Sequence, residues 1–325
     1  MTLHTVPILA RCQLSLPDGE ELYAFIKANA AHADTMVQPD TGRGKRVAIC
    51  GAGVSLAKTA KTIPNDVAEV WACNSALPYM VDHGYRVTHG FAIDQGVAML
   101  ADHEWGRALD VQYLVASSVS PKLVQHLRDA GRAITYFHSF LGLPDPPDWT
   151  PPADRPDVSY EMWLYTTIFP TGVQVGYGLN SVPRAICLAL FLGFDEILVY
   201  GADCACAPDQ APMPSLETPE YEAWMRNLVM YADGRTAIQY GAQAVMAEAV
   251  IDGKRWHTRP DMVISATMMV DLVKQHSHIH VIGDTLPTVL LTQPPEFFDD
   301  MPRLVGVGDI QGFGAHYPPL TVSVP

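Results

Sequence analysis

The feature that most constrains the fold is a short apolar segment, Arg46 to Gly51, which leads directly into a glycine turn and a helical pattern ending near Ile63. An apolar run of this length bounded by glycine is typical of a buried strand. Helical patterns alternate with further apolar runs at 68–74, 87–94, 111–117, 133–137, 196–201 and 278–283. This alternation predicts an α/β fold with a Rossmann-like, doubly wound and mostly parallel sheet.

The alternation does not extend over the whole chain. Residues 1–44 hold one short helical pattern and a polar Pro/Gly linker, and the segment from 293 onward is Pro-rich and irregular. We therefore predict a helical N-terminal appendage with its linker at 1–44, a Rossmann-like nucleotide-binding domain at 45–292 and an irregular tail at 293–325. Within the domain we also expect helices at 218–231 and 241–248, and a surface loop or lid at 143–157.

Composition narrows the classes of partner. The 35 acidic residues outnumber the 21 basic ones, and a net charge of -14 disfavours binding to a nucleic-acid backbone. No apolar stretch approaches the roughly 20 residues of a membrane-spanning helix, and the first twelve residues lack a signal-peptide pattern. Cys50, Cys73 and Cys187 stand in apolar segments rather than in a disulfide framework. We therefore expect a soluble cytoplasmic protein with no nucleic-acid or membrane partner.

The residues that follow each strand carry the functional prediction, because ligands of such sheets bind beyond the carboxyl ends of the strands. After the first strand come Gly51, Gly53 and Ser55; the two glycines allow a phosphate to approach the backbone, and the serine can cap the next helix. A second glycine-rich helix start, and hence a second candidate anion site, consists of Gly176, Gly178, Asn180 and Ser181. Either turn could instead serve only the packing of its helix on the sheet.

Polar side chains end three of the strands. Asp94 and Asp203 could hold hydrated Mg²⁺ or Mn²⁺ against phosphates, or each could merely cap the helix that follows it. Asn74 stands where an NAD enzyme has the carboxylate that binds the adenosine ribose, and Leu56 replaces the third glycine of the dinucleotide fingerprint. We therefore expect no NAD, and we expect Asn74 to contact the sugar or base of another nucleotide.

Two further clusters are weaker candidates. Lys254, His257 and Arg259 belong to the one basic cluster of the chain, which could meet a substrate phosphate or carboxylate or could be a solvated turn. Cys204 and Cys206 lack a second Cys/His pair at ligand spacing, so we expect no zinc.

The order of these motifs resembles the 6-hydroxymethylpterin diphosphokinase-like domain family. The matching residues are the glycine turn with Ser55 and Leu56, then Asn74, Asp94, the helix start at 176–181 and the LGF-x-x-I-x-x-x-G-x-D run at 192–203. The resemblance covers about residues 45–290, with Val54 standing where the family usually has Pro. The N-terminal helix and the IGDTLP run at 282–287 are most similar to phage members, and the glycine motif also resembles that of bacterial sialyltransferases.

That family includes pterin diphosphokinases and domains of flagellin-modifying glycosyltransferases. The resemblance therefore implies a phage-encoded transferase, acting in the host cytoplasm on either of two donors. The donor is ATP, giving diphosphate to a hydroxymethyl acceptor, or a nucleotide sugar, giving its sugar to a small-molecule or glycan acceptor. Asp94 and Asp203 would be catalytic and would bind the metal. The alternatives are a non-catalytic phage accessory or virion-associated protein, and an NAD-dependent oxidoreductase, which Asn74 and Leu56 disfavour.

Overall fold

The structure, a computed structural model, describes residues 2–4, 19–30, 35–93, 107–139, 145–168, 174–175, 180–206, 228–230, 236–238, 247–251, 253–258 and 260–294. The strands are β1 (Thr2–His4), β2 (Arg46–Cys50), β3 (Glu69–Cys73), β4 (His89–Ala92), β5 (Gln112–Ala116), β6 (Ile134–Ser139), β7 (Gln174–Val175), β8 (Glu196–Tyr200), β9 (Ala205–Cys206), β10 (Leu228–Met230), β11 (Thr236–Ile238), β12 (Ala247–Ile251), β13 (Lys254–Thr258) and β14 (Ile279–Ile282). The helices are α1 (Gly19–Ala30), α2 (Leu56–Thr59), α3 (Ala76–Asp82), α4 (Pro121–Asp129), α5 (Tyr160–Ile168), α6 (Ser181–Phe191), α7 (Pro260–Gln275) and α8 (Leu286–Leu291).

The central sheet has eight strands in the order β14-β8-β2-β3-β4-β5-β6-β7, and every neighbouring pair is parallel. The chain builds the sheet outward from β2 to β7, then returns to the other side of β2 with β8 and β14. Strand order therefore reverses between β2 and β8. This topology confirms the predicted Rossmann-like α/β fold, and the general rule for such sheets puts the ligand crevice at the carboxyl ends of these two strands.

The central strands owe their apolar sequences to burial on both faces. In β2, β3, β5 and β8 every residue after the first is buried. The aromatic rings of Trp71 and Phe91 stack at 6.3 Å between centroids, and those of Phe91 and Phe137 at 5.2 Å. Such double-sided burial removes the apolar/polar alternation of a half-exposed strand, which is why the sequence shows continuous apolar runs.

Helix α1 packs against the sheet domain. The Asn29 side-chain amide donates hydrogen bonds of 2.8 Å to the backbone carbonyls of both Ser117 and Val119, in the loop after β5. The chain then runs beside β6, where the Val37 N–H donates to the Tyr136 carbonyl at 2.9 Å. The buried residues of α1 are Leu22, Tyr23, Ile26 and Asn29. The domain boundary at residue 44 stays a prediction.

The two helices predicted at 218–231 and 241–248 are wrong in their described parts. Strand β10 occupies 228–230 and pairs with β11, and β12 starts at 247 and pairs with β1 and β13. These strands belong to small antiparallel sheets, one of which has the order β1-β12-β13-β9. Antiparallel pairing with a neighbouring strand outweighs the helical tendency of Ala- and Met-rich sequence. None of the described helices is long and apolar enough to cross a membrane.

Candidate functional site

The glycine turn after β2 lies directly against the loop after β8. The Gly51 N–H donates to the Tyr200 carbonyl at 2.8 Å, and the Gly53 N–H donates to the Gly201 carbonyl at 2.9 Å. A Cβ placed on Gly53 would lie 2.6 Å from the Gly201 carbonyl oxygen and would overlap Asp203 Oδ2. Real Cβ atoms do not approach other atoms so closely, so the packing of the protein itself requires glycine at position 53.

Asp203 is the side chain that this turn encloses. Its Oδ2 accepts a 2.8 Å hydrogen bond from the backbone N–H of Ser55, whereas Oδ1 has no hydrogen-bond partner among the described residues. Asp203 is only 5% exposed. Burial raises the pKa of its carboxyl to about 6, although the hydrogen bonds from Ser55 favour the charged form. Asp203 therefore already occupies one backbone amide at the start of α2.

Two amides of the turn are available to a ligand. The backbone N–H groups of Ala52 and Val54 have no hydrogen-bond partner among the described residues, whereas those of Gly51, Gly53 and Ser55 are bonded to the β8 strand end and its loop. A phosphate bound here would thus be held by alternate amides of the turn. The predicted phosphate loop therefore has two sets of backbone N–H groups: one set is hydrogen-bonded within the protein, and the other has no partner among the described residues.

The second predicted helix start lies beside the first. Asn180 caps α6, because its Oδ1 accepts a 3.1 Å hydrogen bond from the Val182 N–H. A Cβ placed on Gly51 would lie 2.8 Å from Val182 Cγ2, in the first turn of α6. The described residues of the two predicted anion sites therefore border one crevice. Gly176 and Gly178 lie outside the described residues.

The strand ends around this crevice share a left-handed backbone. The residue after β3, Asn74, has φ of 45°, and those after β8 and β14, Gly201 and Gly283, have φ of 60° and 114°. Asparagine tolerates this conformation better than most residues with a side chain. Asn74 thus has a conformational reason for its identity, in addition to the predicted contact with the nucleotide.

The remaining predicted residues divide by position. Asp94, Arg259 and the side chain of His257 lie outside the described residues. Lys254 lies on β13, where its Nζ pairs with the Asp284 carboxylate and is 4.2 Å from the centroid of the Trp256 ring. Asp284 follows β14 by two residues and was not among the predicted site residues, although its place after a strand is the same signal that selected Asp94 and Asp203.

The described residues do not form a complete metal centre, since no three His, Cys, Asp or Glu side chains among them are arranged to hold an ion. Asp203 nevertheless offers a buried carboxylate oxygen without a partner. Mg²⁺ in nucleotide sites commonly uses only one or two carboxylates and takes its other ligands from water and phosphate. The described donors therefore fit a metal ion that arrives with its nucleotide.

A second polar cluster, which the sequence did not reveal, lies at the carboxyl ends of β5 and β6. His138 Nδ1 is 2.7 Å from Ser117 Oγ, and His138 Nε2 is 3.3 Å from Glu161 Oε1. The side chains of His138 and Glu161 are 1% and 0% exposed. Because this pair is covered, we assign it to holding α5 against the sheet. No local motif could reveal it, because the three residues come from separate elements.

Comparison with known proteins gives a likeness of fold. No protein-family model matches the chain, and no curated protein matches it by sequence. Its fold is similar to the structure of the MAf glycosyltransferase from Magnetospirillum magneticum AMB-1, with a TM-score of 0.50 and 12% sequence identity. The similarity covers 84% of this chain and 40% of that chain, so this protein spans less than half of that one. The chain therefore has a Rossmann-like fold in common with a glycosyltransferase.

The burial of Asp203 leads to a prediction about pH. We expect Asp203→Asn to stabilise the protein relative to the parent, and by more at pH 7 than at pH 4. The Asp203 carboxyl has a pKa of about 6 in the folded state and of about 4 in the unfolded state, so the unfolded state ionises first. The parent therefore loses about 2 to 3 kcal/mol of stability as pH rises from about 4 through the folded pKa of about 6. Asn keeps an oxygen for the Ser55 N–H but cannot ionise. Urea unfolding with a chelator present measures the difference, and the same difference at both pH values would contradict the prediction.

Proposed function

We propose that this protein is a transferase that binds a nucleotide sugar in the crevice between β2 and β8. The observation that carries the proposal is the glycine turn at the point of strand-order reversal, with the amides of Ala52 and Val54 free. Such a turn favours a phosphate. The fold likeness to a glycosyltransferase favours a nucleotide sugar over ATP as the donor, a choice that the motif resemblance leaves open.

The roles of individual residues follow from where the strands end. The free amides of the turn bind the donor phosphate, and the α6 start at Asn180 and Ser181 borders the same ligand. Asn74 contacts the nucleoside. Asp203 acts beside the phosphates, with Asp94 as the sequence-predicted partner, and a bound Mg²⁺ or Mn²⁺ would neutralise charge on the leaving phosphate. Lys254, His257 and Arg259 are proposed to approach the substrate from the β13 side.

The catalytic contribution of such a site is positional and electrostatic. Fixing donor and acceptor in one crevice removes the entropic cost of bringing them together, and preorganised donors stabilise charge on the leaving phosphate. The acceptor is proposed to be a small molecule or a glycan. The resemblance to phage members adds the proposal that the protein acts in the cytoplasm of a bacterial host.

Calorimetric titration tests the donor class directly. We expect one nucleoside diphosphate sugar, among uridine, cytidine, guanosine and adenosine forms, to bind more tightly than ATP and NAD. Each titration is run with Mg²⁺ and with a chelator. Tightest binding of ATP would support diphosphate transfer instead, and tightest binding of NAD would contradict the proposal.

A charge-matched pair of variants tests the phosphate turn. Val54→Glu puts a carboxylate beside the free amides, whereas Val54→Gln has nearly the same shape without the charge. We expect the Glu variant to bind the best nucleotide at least about tenfold more weakly than the Gln variant, which corresponds to about 1.4 kcal/mol. Equal affinities, with thermal unfolding showing both variants folded, would exclude this turn as the phosphate site.

A further inference from the structure

Asp284 is a carboxylate beside the crevice to which the proposed function gives no role. It comes directly after Gly283, and β14 is the sheet neighbour of β8. Its side chain is 72% exposed and pairs with Lys254, whose side chain is 43% exposed. A solvated lysine and aspartate gain little stability from pairing, so the pair is not needed to hold the fold.

Backbone contacts place the segment around Asp284 next to Asp203. A Cβ placed on Gly283 would lie 3.5 Å from Ser55 Oγ, and Ser55 is the residue whose N–H binds the Asp203 carboxylate. On the other side of Asp284, the Leu286 N–H donates a 3.1 Å hydrogen bond to the Asp203 carbonyl. Asp284 therefore lies between two residues that are in contact with the surroundings of Asp203.

The free oxygen of Asp203 points to a missing ligand. Within the described part of the chain, Oδ1 is buried without a hydrogen-bond partner. A buried carboxylate oxygen left in this state is unfavourable, and an ion or water bound in the functional state is the usual explanation. Burial is the largest cause of the raised pKa of Asp203, and after the opposing effect of Ser55 the charge of Asp284 raises it further.

Strand order decides which second carboxylate is near enough. Strand β14 is adjacent to β8, about 5 Å away, whereas β4, the strand that precedes Asp94, is three strands from β8, or about 14 Å. Carboxylates that follow adjacent strands can share one ion with bonds of about 2.1 Å, whereas the ends of β4 and β8 are too far apart for this. The topology thus favours Asp284 over Asp94 as the partner of Asp203.

We propose that Asp203 and Asp284 together bind a divalent cation, and that Lys254 occupies the Asp284 carboxylate until the cation displaces it. The inference rests on the proposed function, in which the phosphates of the nucleotide complete the coordination. Two carboxylates suffice for Mg²⁺ or Mn²⁺ in such a site, because water and phosphate oxygens supply the remaining ligands.

Electron paramagnetic resonance of Mn²⁺ tests this site without an activity assay. The full-length protein is titrated with Mn²⁺ alone and then with Mn²⁺ and UDP. We expect Asp284→Asn to weaken Mn²⁺ binding at least about fivefold and Lys254→Met to strengthen it, because the second change removes a competing cation. The control is Asp66→Asn, since Asp66 is also 72% exposed and pairs with Arg46. It precedes β3 and is expected to leave Mn²⁺ binding unchanged.

The outcomes separate this inference from the proposed function. Equal Mn²⁺ affinity in the parent and in Asp284→Asn would overturn the inference. Weaker Mn²⁺ binding by Lys254→Met would also overturn it. So would a parent protein that does not bind Mn²⁺ under either condition, with UDP present or absent. Mn²⁺ binding that depends on Asp284, in a protein that binds no nucleotide, would support the cation site and contradict the proposed function. Thermal unfolding confirms that each variant is folded.

Discussion

Replacing Glu161 with alanine is expected to lower the free energy of unfolding by about 3 to 5 kcal/mol, the largest effect we predict for a single side chain. Glu161 is completely buried, and its Oε1 is 3.3 Å from Nε2 of His138. Truncation removes one partner of a buried ionisable pair and leaves a cavity between α5 and the sheet. Urea denaturation at neutral pH measures the loss.

Two comparisons make this result interpretable. Glu20 is the second residue of α1, and Glu161 is the second residue of α5. Because Glu20 is exposed, whereas Glu161 is buried, Glu20→Ala should change the free energy of unfolding by less than about 0.5 kcal/mol. The double variant His138→Phe with Glu161→Met replaces both polar groups with apolar ones. It should cost less than the sum of its single changes, because neither group is left buried alone. Strictly additive costs would contradict the interpretation of His138 and Glu161 as a coupled pair.

Gly53→Ala is expected to destabilise the protein by about 3 kcal/mol, because a methyl group at this position overlaps two fixed neighbours. One is the Asp203 carboxylate, and the other is the Gly201 carbonyl oxygen, 2.6 Å from the new Cβ. Gly84→Ala is the control. It has φ of 73° but no atom within 4 Å of a Cβ, so only the backbone cost of about 1 kcal/mol applies.

The overlap of the new methyl group with the Gly201 carbonyl oxygen can be tested separately from its overlap with the Asp203 side chain. Removing the carboxylate with Asp203→Ala should fail to restore the stability of Gly53→Ala, since the Gly201 carbonyl is unchanged. Full rescue would show that only the side chain opposes a larger residue. A Gly53 substitution is therefore a poor probe of phosphate binding, because loss of binding could follow from damage to the loop itself.

Most of the sheet could be predicted because its strands are buried on both faces. The run at 196–201 became β8 at Glu196–Tyr200, and the run starting at Arg46 became β2 at Arg46–Cys50. Strands β10 and β12 were missed because their short sequences have a helical tendency, and antiparallel pairing, of β10 with β11 and of β12 with β1 and β13, outweighs it. Helix α5 was hidden by the Pro-rich sequence that precedes it.

The candidate site was predictable in its parts but not in its arrangement. Position after a strand selected both the glycine turn and Asp203, which the structure brings into contact. Sequence alone does not give strand order, so it could not show that β14 adjoins β8 while β4 lies three strands away. For that reason the sequence suggests Asp94 as the partner of Asp203, and not Asp284, which follows the strand next to β8.

The strand order also has a consequence for biosynthesis. Strand β2 is the earliest strand of the central sheet in the chain, yet its final position is between β3 and β8. While the ribosome is making β3 to β7, β2 has one unpaired edge, and it keeps that edge until β8 emerges at Glu196. An exposed apolar edge is prone to intermolecular pairing, so truncated chains ending before β8 should aggregate. Pairing of β8 with β2 covers this edge and also forms the crevice, so the growing chain gains its candidate binding site in the same step that ends its exposure to aggregation.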